Sequence, residues 1–111
     1  MSTGARTSAL LLVRDRARVE RLTEALSRQG ITVVAEAGDA DSALRLIDEQ
    51  GPGVLVVDLG FAGDESLDFV TEARARAPRL KVIVLAESLD PQLVAKAAAQ
   101  GVDAYVLDSK L

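Results

Sequence analysis

The sequence predicts an α/β domain built on a doubly wound, five-stranded parallel sheet. Five short aliphatic runs alternate strictly with four amphipathic stretches, which is the pattern of repeated strand–helix–strand units. One of those runs, Val54-Leu55-Val56-Val57-Asp58, is apolar without alternation. A strand reads that way when helices cover the sheet on both faces, so that neither side can be polar. Glycine and proline fall between the runs, at Gly30, Gly51-Pro52-Gly53, Pro78 and Gly101, where the chain has to turn.

Met1 to Thr7 is polar and is expected to be a flexible leader, with one domain over residues 8–111. Ser8 to Arg14 holds Ala9-Leu10-Leu11-Leu12-Val13, the first strand, ending at Arg14-Asp15. A helix is predicted from about Ala17 to Gln29, with Val19, Leu22 and Leu26 as its apolar stripe and Gly30 as a left-handed cap. Ile31 to Ala35 is the second strand. Gly38-Asp39 opens the second helix, with Asp39 as N-cap and Ala40, Ala43, Leu44 and Ile47 facing inward. After the Asp58 strand, Ser66 to Ala77 carries Leu67, Val70 and Ala73 at helical spacing and is stopped by Pro78. Lys81 to Ala86 is the fourth strand. Asp90-Pro91 places a capping carboxylate before a proline at the first helical position, and that helix runs through Leu93, Val94, Ala97 and Ala98 to Gly101. Ala104-Tyr105-Val106-Leu107 is the fifth strand.

At 111 residues the chain has room for one core, which must be aliphatic because aromatics make up 3% of it. Cysteine and histidine are both absent, which removes disulfides, thiol nucleophiles, imidazole bases and ordinary zinc sites. Any metal would be a hard, oxygen-liganded ion such as magnesium. No apolar run approaches the ~18 residues of a membrane span, so a cytoplasmic protein with no membrane partner is expected. The net charge of −4 disfavours phosphate backbones. Arg14, Arg16, Arg18, Arg21 and Arg28 do cluster, but Arg18, Arg21 and Arg28 read as a solvated face beside Glu20 and Glu24, so no direct nucleic-acid binding is predicted.

The carboxylate at the end of the unbroken run is the chemical focus. In a flavodoxin-like winding, strand order 2-1-3-4-5, the first and third strands adjoin at the switch point, where open α/β sheets bind ligands. Asp15 and Asp58 then share one crevice, joined by Ala86, Glu87 and Asp108 from the fourth and fifth strands. Two strand-end carboxylates without histidine suit magnesium-assisted phosphoryl chemistry; the plainer reading is that such acids cap helices.

On these residues the chain resembles the receiver domain of two-component response regulators. Leu11-Leu12-Val13-Arg14-Asp15 resembles its first strand with the acidic pair, and Asp58-Leu59-Gly60-Phe61-Ala62-Gly63 resembles its phosphoacceptor segment. Val82-Ile83-Val84-Leu85-Ala86 is similar to its fourth strand, and Gly101-Val102-Asp103-Ala104-Tyr105-Val106-Leu107 carries its glycine, aromatic and aliphatic arrangement. The resemblance implies that Asp58 accepts a phosphoryl group from a kinase phosphohistidine. It also implies that Asp15, Asp58 and the Gly60 carbonyl hold magnesium, and that Tyr105 is the aromatic whose rotamer reports the state of the site.

Three departures bear on that chemistry. The family's first acid falls on Arg14, its hydroxyl residue on Ala86, and its lysine on Asp108. Each removes a contact to the phosphoryl group or its ion, and together they cost several kcal/mol if each contributes about 1–3. Ser88 and Lys110 lie two residues beyond the vacated positions, on the matching face of extended chain, but the joint loss outweighs that rescue. The expected protein is therefore an atypical or pseudo-receiver. Asp58 is a vestigial or weak acceptor, magnesium binds weakly or not at all, and Arg14 forms an ion pair in the acidic crevice. It is expected to be no enzyme, and to act in transcriptional regulation by protein contacts. The alternatives are a conventional receiver phosphorylated on Asp58 and a small-molecule-binding flavodoxin-like domain.

A receiver continues into a fifth helix, for which Asp108-Ser109-Lys110-Leu111 is too short. The sequence thus predicts a domain truncated before that helix, with an output module, most plausibly DNA-binding, beyond Leu111. It also predicts a homodimer or partner chain over the fourth and fifth strands. The terminal Ser109-Lys110-Leu111 matches a peroxisomal address, which is discounted.

Overall fold

A computed structural model describes residues 7–13, 15–58, 64–88 and 90–107, with 64–67 described by backbone alone. The elements, in chain order, are β1 (Thr7–Leu12), α1 (Arg16–Arg28), β2 (Ile31–Ala37), α2 (Ala40–Gln50), β3 (Val54–Asp58), α3 (Asp64–Arg76), β4 (Lys81–Ala86), α4 (Pro91–Ala99) and β5 (Ala104–Leu107). All neighbouring strands pair in parallel, in the order β2-β1-β3-β4-β5. That is the winding expected from the sequence. It makes β1 and β3 neighbours in register, Leu12 beside Val57, and so fixes where Asp58 emerges. Among the described residues no helix is long and apolar enough to cross a membrane.

Helix starts follow the predicted capping chemistry. Asp15, Asp39 and Asp90 have extended backbone, and each carboxylate accepts a helical amide, from Ala17 at 3.0 Å, Ser42 at 2.8 Å and Gln92 at 2.9 Å respectively. Each cap satisfies a backbone donor that the first turn leaves without a partner, a contribution of ~1 kcal/mol. Gly51 closes α2 at φ 56°, ψ 48°, the left-handed conformation that side-chain-bearing residues resist.

Strand alternation splits the core into two layers. Leu10, Leu12, Leu55, Val57, Val82 and Val84 face α2, α3 and α4, where they meet Ala43, Leu44, Ile47, Val70 and Ala73. Ala9, Leu11, Val54, Val56 and Leu85 face the other side, with Val19 and Leu22 of α1. Both layers are aliphatic, as the composition requires, and full burial of each leucine or valine stabilises by about 1.5–3 kcal/mol. On the α1 side of β4 and β5, Ile83 and Val106 are half-buried against this second layer.

Several boundaries differ from the sequence reading. Thr7, expected in the leader, is the first residue of β1 and pairs with Ile31. β1 is bounded at Leu12, and Val13 just beyond it still donates its amide to the Ala37 carbonyl of β2 at 3.1 Å. α1 begins one residue early because Asp15 is its cap. α3 covers Asp64–Arg76 rather than Ser66–Ala77, and α4 ends at Ala99 rather than Gly101. β2 extends to Ala37 and contains a bulge: Ala9 pairs with Val33 but Leu10 pairs with Ala35, so Val34 has no opposite residue. The bulge reverses the alternation, sending Ile31 and Val33 to the α1 layer and Ala35 and Ala37 to the other. It also leaves Val34 the exposed large apolar side chain among the described residues, at 43%.

A polar clasp joins α3 to the far end of the sheet. Asp103 Oδ2 accepts the Val82 amide and Arg74 Nη2, both at 2.8 Å, and Arg74 Nη2 also donates to the Gly101 carbonyl at 2.8 Å. The clasp therefore sets the entry of β5 beside β4 and ties the C-terminal half of α3 to it.

Candidate functional site

Asp58 is the charged residue that the fold buries among the described residues, with 6% of its surface exposed. Four buried aliphatic residues precede it in β3, and its strand lies between β1 and β4, so its backbone is fixed at the centre of the sheet's carboxyl edge. A buried carboxylate is costly unless a positive charge or several donors meet it.

The positive charge comes from α1. Arg18 Nε lies 3.0 Å from Asp58 Oδ2, and the two side chains are 14% and 9% exposed. This corrects the sequence reading, which assigned Arg18 to a solvated face with Arg21 and Arg28. The helix geometry explains the error. At ~100° per residue Arg18 stands about 40° from Leu22, on the rim of the apolar stripe, whereas Arg21 and Arg28 lie well outside it. Side chains of a first helical turn also lean toward the N-terminus, here the carboxyl edge of the sheet where Asp58 ends β3. The signal was available as an arginine four residues before a core leucine.

The remaining predicted residues are distributed as follows. Asp15 is exposed and engaged at one oxygen as the α1 cap, the plainer of its two readings. Ala86 is buried at the end of β4, 5% exposed, and offers the crevice a methyl group and no donor. Glu87 and Ser88 follow it on the surface. Tyr105 on β5 is half-buried against the α4-side core and donates its hydroxyl to the Ser88 carbonyl at 3.4 Å, a long bond between the ends of β4 and β5. Burial raises the Tyr105 phenol above its ordinary value of 10.0, and the charge of Asp90 pushes the same way. Arg14, Gly60 and Asp108 lie outside the described residues, as does the segment where a fifth helix would begin.

Of the residues that the resemblance gives to magnesium, Asp15 and Asp58 are described, and each is already engaged. Asp58 already holds a guanidinium at contact distance, and one oxygen of Asp15 is committed to the Ala17 amide. Among the described residues no group of three or more acidic side chains is gathered that could hold a metal. What the arrangement does hold is an ion pair, a cation on one element against an anion on another.

Comparison with known proteins agrees with this architecture. The sequence pattern of the response regulator receiver domain matches residues 10–109. The transcriptional activator protein ExaE of Pseudomonas putida is 32% identical over 68 residues, 61% of this chain and 32% of that protein. The response regulator protein VraR of Staphylococcus epidermidis is 27% identical over 81 residues, 73% of this chain and 39% of that protein. This chain therefore spans between about a third and two fifths of the length of these curated relatives. The crystal structure of a LuxR-family two-component response regulator from Aurantimonas superposes with a TM-score of 0.85 at 25% identity, covering 95% of this chain and 76% of that one.

Proposed function

We propose, from the premise that this chain belongs to the response regulator receiver family, that it relays a signal by protein contacts rather than through an acyl phosphate on Asp58. The observation that carries this reading is the Arg18–Asp58 pair: the carboxylate that would attack phosphorus is buried and already neutralised. Nucleophilic attack would require Asp58 to leave Arg18 and gain an ion, while Ala86 offers no hydroxyl to the incoming oxygens. The substitutions at Arg14 and Asp108 point the same way, since one replaces an acid by a cation and the other a lysine by an acid. Magnesium binding is correspondingly weak or absent in this reading.

The whole protein is a cytoplasmic transcriptional regulator in this proposal, with a DNA-binding output module and the receiver as its dimerisation and control unit. ExaE is a transcriptional activator by name, and the Aurantimonas neighbour is of the LuxR family, which supports that assignment. The half-buried Ile83 and Val106 mark the side through which two copies associate, and light scattering at tens of micromolar would show a dimer. A histidine kinase remains the partner class of the family, here as a binding partner without stable transfer.

The deciding experiment is intact mass after incubation with acetyl phosphate and magnesium, together with beryllofluoride titration followed by amide spectra. No added phosphoryl mass and no shift at Asp58 are expected. Stoichiometric modification of Asp58 would overturn the proposal in favour of a conventional receiver.

A further inference from the structure

We infer that Arg18 is a built-in counter-ion that excludes divalent metal ions from the crevice at Asp58. The inference rests on the reading above and adds the residue responsible. The guanidinium and a metal ion compete for the same carboxylate. Arg18 Nε sits 3.0 Å from Asp58 Oδ2, whereas magnesium needs a carboxylate oxygen at about 2.0–2.1 Å. Both cannot approach closely, because two positive charges within ~5 Å repel strongly at the reduced dielectric of a sheltered site.

Arg18 holds three advantages over an ion in that competition. It is tethered to α1, whose start is fixed by the Asp15 cap and whose Val19 and Leu22 are buried, so its delivery costs no translational freedom. Its guanidinium presents donors in a rigid planar fork and is weakly hydrated, whereas magnesium gives up its waters reluctantly. The pair is 14% and 9% exposed, so salt screens it far less than exposed pairs such as Arg16 with Glu36, at 72% and 38%. Asp15, just before α1, is engaged at one oxygen as the helix cap.

Manganese titration followed by paramagnetic broadening of amides around Asp58 tests this on the wild-type chain, Arg18→Gln and Arg18→Lys. Arg18→Gln removes the charge and is expected to bind manganese at least about tenfold more tightly than wild type. Arg18→Lys keeps the charge and is expected to match wild type. Both variants lose the planar fork, so a merely structural role for Arg18 would move them together, and that result would overturn the inference. Equal, unchanged affinity in all three chains would overturn it as well. Adding Asp58→Asn to Arg18→Gln should abolish the acquired binding; if binding persists, the metal is elsewhere and the inference fails. Should Arg18→Gln fail to fold alone, manganese is added to it: recovery of the fold that is lost again with Asp58→Asn supports the inference, and no recovery overturns it. Failure of the underlying reading would appear separately, as an acyl phosphate on the wild-type chain.

Discussion

Arg18 and Asp58, one from the first turn of α1 and the other from the last residue of β3, meet with 3.0 Å between Nε and Oδ2 in a setting nearly closed to solvent. Such pairs are lopsided in their energetics. Removing one partner leaves an uncompensated charge, which costs ~3 kcal/mol or somewhat more, while replacing both by apolar groups of similar volume is often close to neutral. Asp58→Ala is therefore expected to lower the urea midpoint by an amount equivalent to about 3 kcal/mol. Arg18→Met combined with Asp58→Leu should stay within ~1 kcal/mol of wild type. A loss in the double variant equal to the sum of the Arg18→Met and Asp58→Leu losses would show that the pair is not coupled.

The Asp103 clasp predicts an ordering among three substitutions. Asp103→Ala strands the half-buried Val82 amide and frees Arg74, and is expected to cost about 1–3 kcal/mol. Asp103→Asn keeps an acceptor for the amide and should cost under ~1 kcal/mol. Arg74→Ala loses a partly exposed ion pair, which is also worth less than ~1 kcal/mol. Chemical denaturation ranks the three, and hydrogen exchange at Val82 should accelerate in Asp103→Ala alone.

Gly51 offers a test of backbone conformation free of packing. A Cβ added there would meet nothing within 4 Å, yet its φ of 56° is left-handed. Gly51→Ala is expected to destabilise by ~1–2 kcal/mol through that conformation alone. Gly51→Asn should lose less, because asparagine tolerates the same region. Thermal melts suffice, and a neutral Gly51→Ala would mean that α2 ends differently in solution.

Tyr105 is the chain's single tyrosine and there is no tryptophan, so absorbance in the near ultraviolet reports it alone. Its phenol titrates above 10.0, chiefly because burial disfavours the phenolate and then because Asp90 repels it. The folded state thus holds this proton more tightly than the unfolded chain. The associated stability is fully present below pH 10.0 and is lost as pH rises through the higher folded value. Asp90→Asn, which can still cap α4, should bring the midpoint down part of the way, leaving the larger effect of burial in place. No movement at all would assign the whole effect to desolvation.

Much of this molecule is written in short-range chemistry. The caps at Asp15, Asp39 and Asp90, the left-handed Gly30 and Gly51, and the two-layer alternation of β1 and β3 follow from neighbouring residues, and the strand order follows from the alternation of elements. Asp58 was legible for the same reason, as a charge ending an apolar run. Its partner was not. Arg18 looks like its neighbours Arg16 and Arg21 until the helix is rotated onto the sheet, and only the parallel pairing of β1 with β3 brings β3's end within its reach. The bulge at Val34 escaped for a related reason: nothing in Ile31 to Ala37 breaks the pattern, and the extra residue is defined by what it fails to pair with across the ladder.

That extra residue shapes how copies of the chain can meet. β2 is an outer strand, and its free side would present a regular row of amides and carbonyls to any sixth strand. With Val34 out of step with Ala9 and Leu10, the row changes phase halfway along, so a straight incoming strand can match its first half or its second but not both. Sheet extension is closed off on this flank, and lateral growth into a filament with it. Strand addition is left to the opposite edge at β5, which can join two copies but cannot build an open-ended ladder.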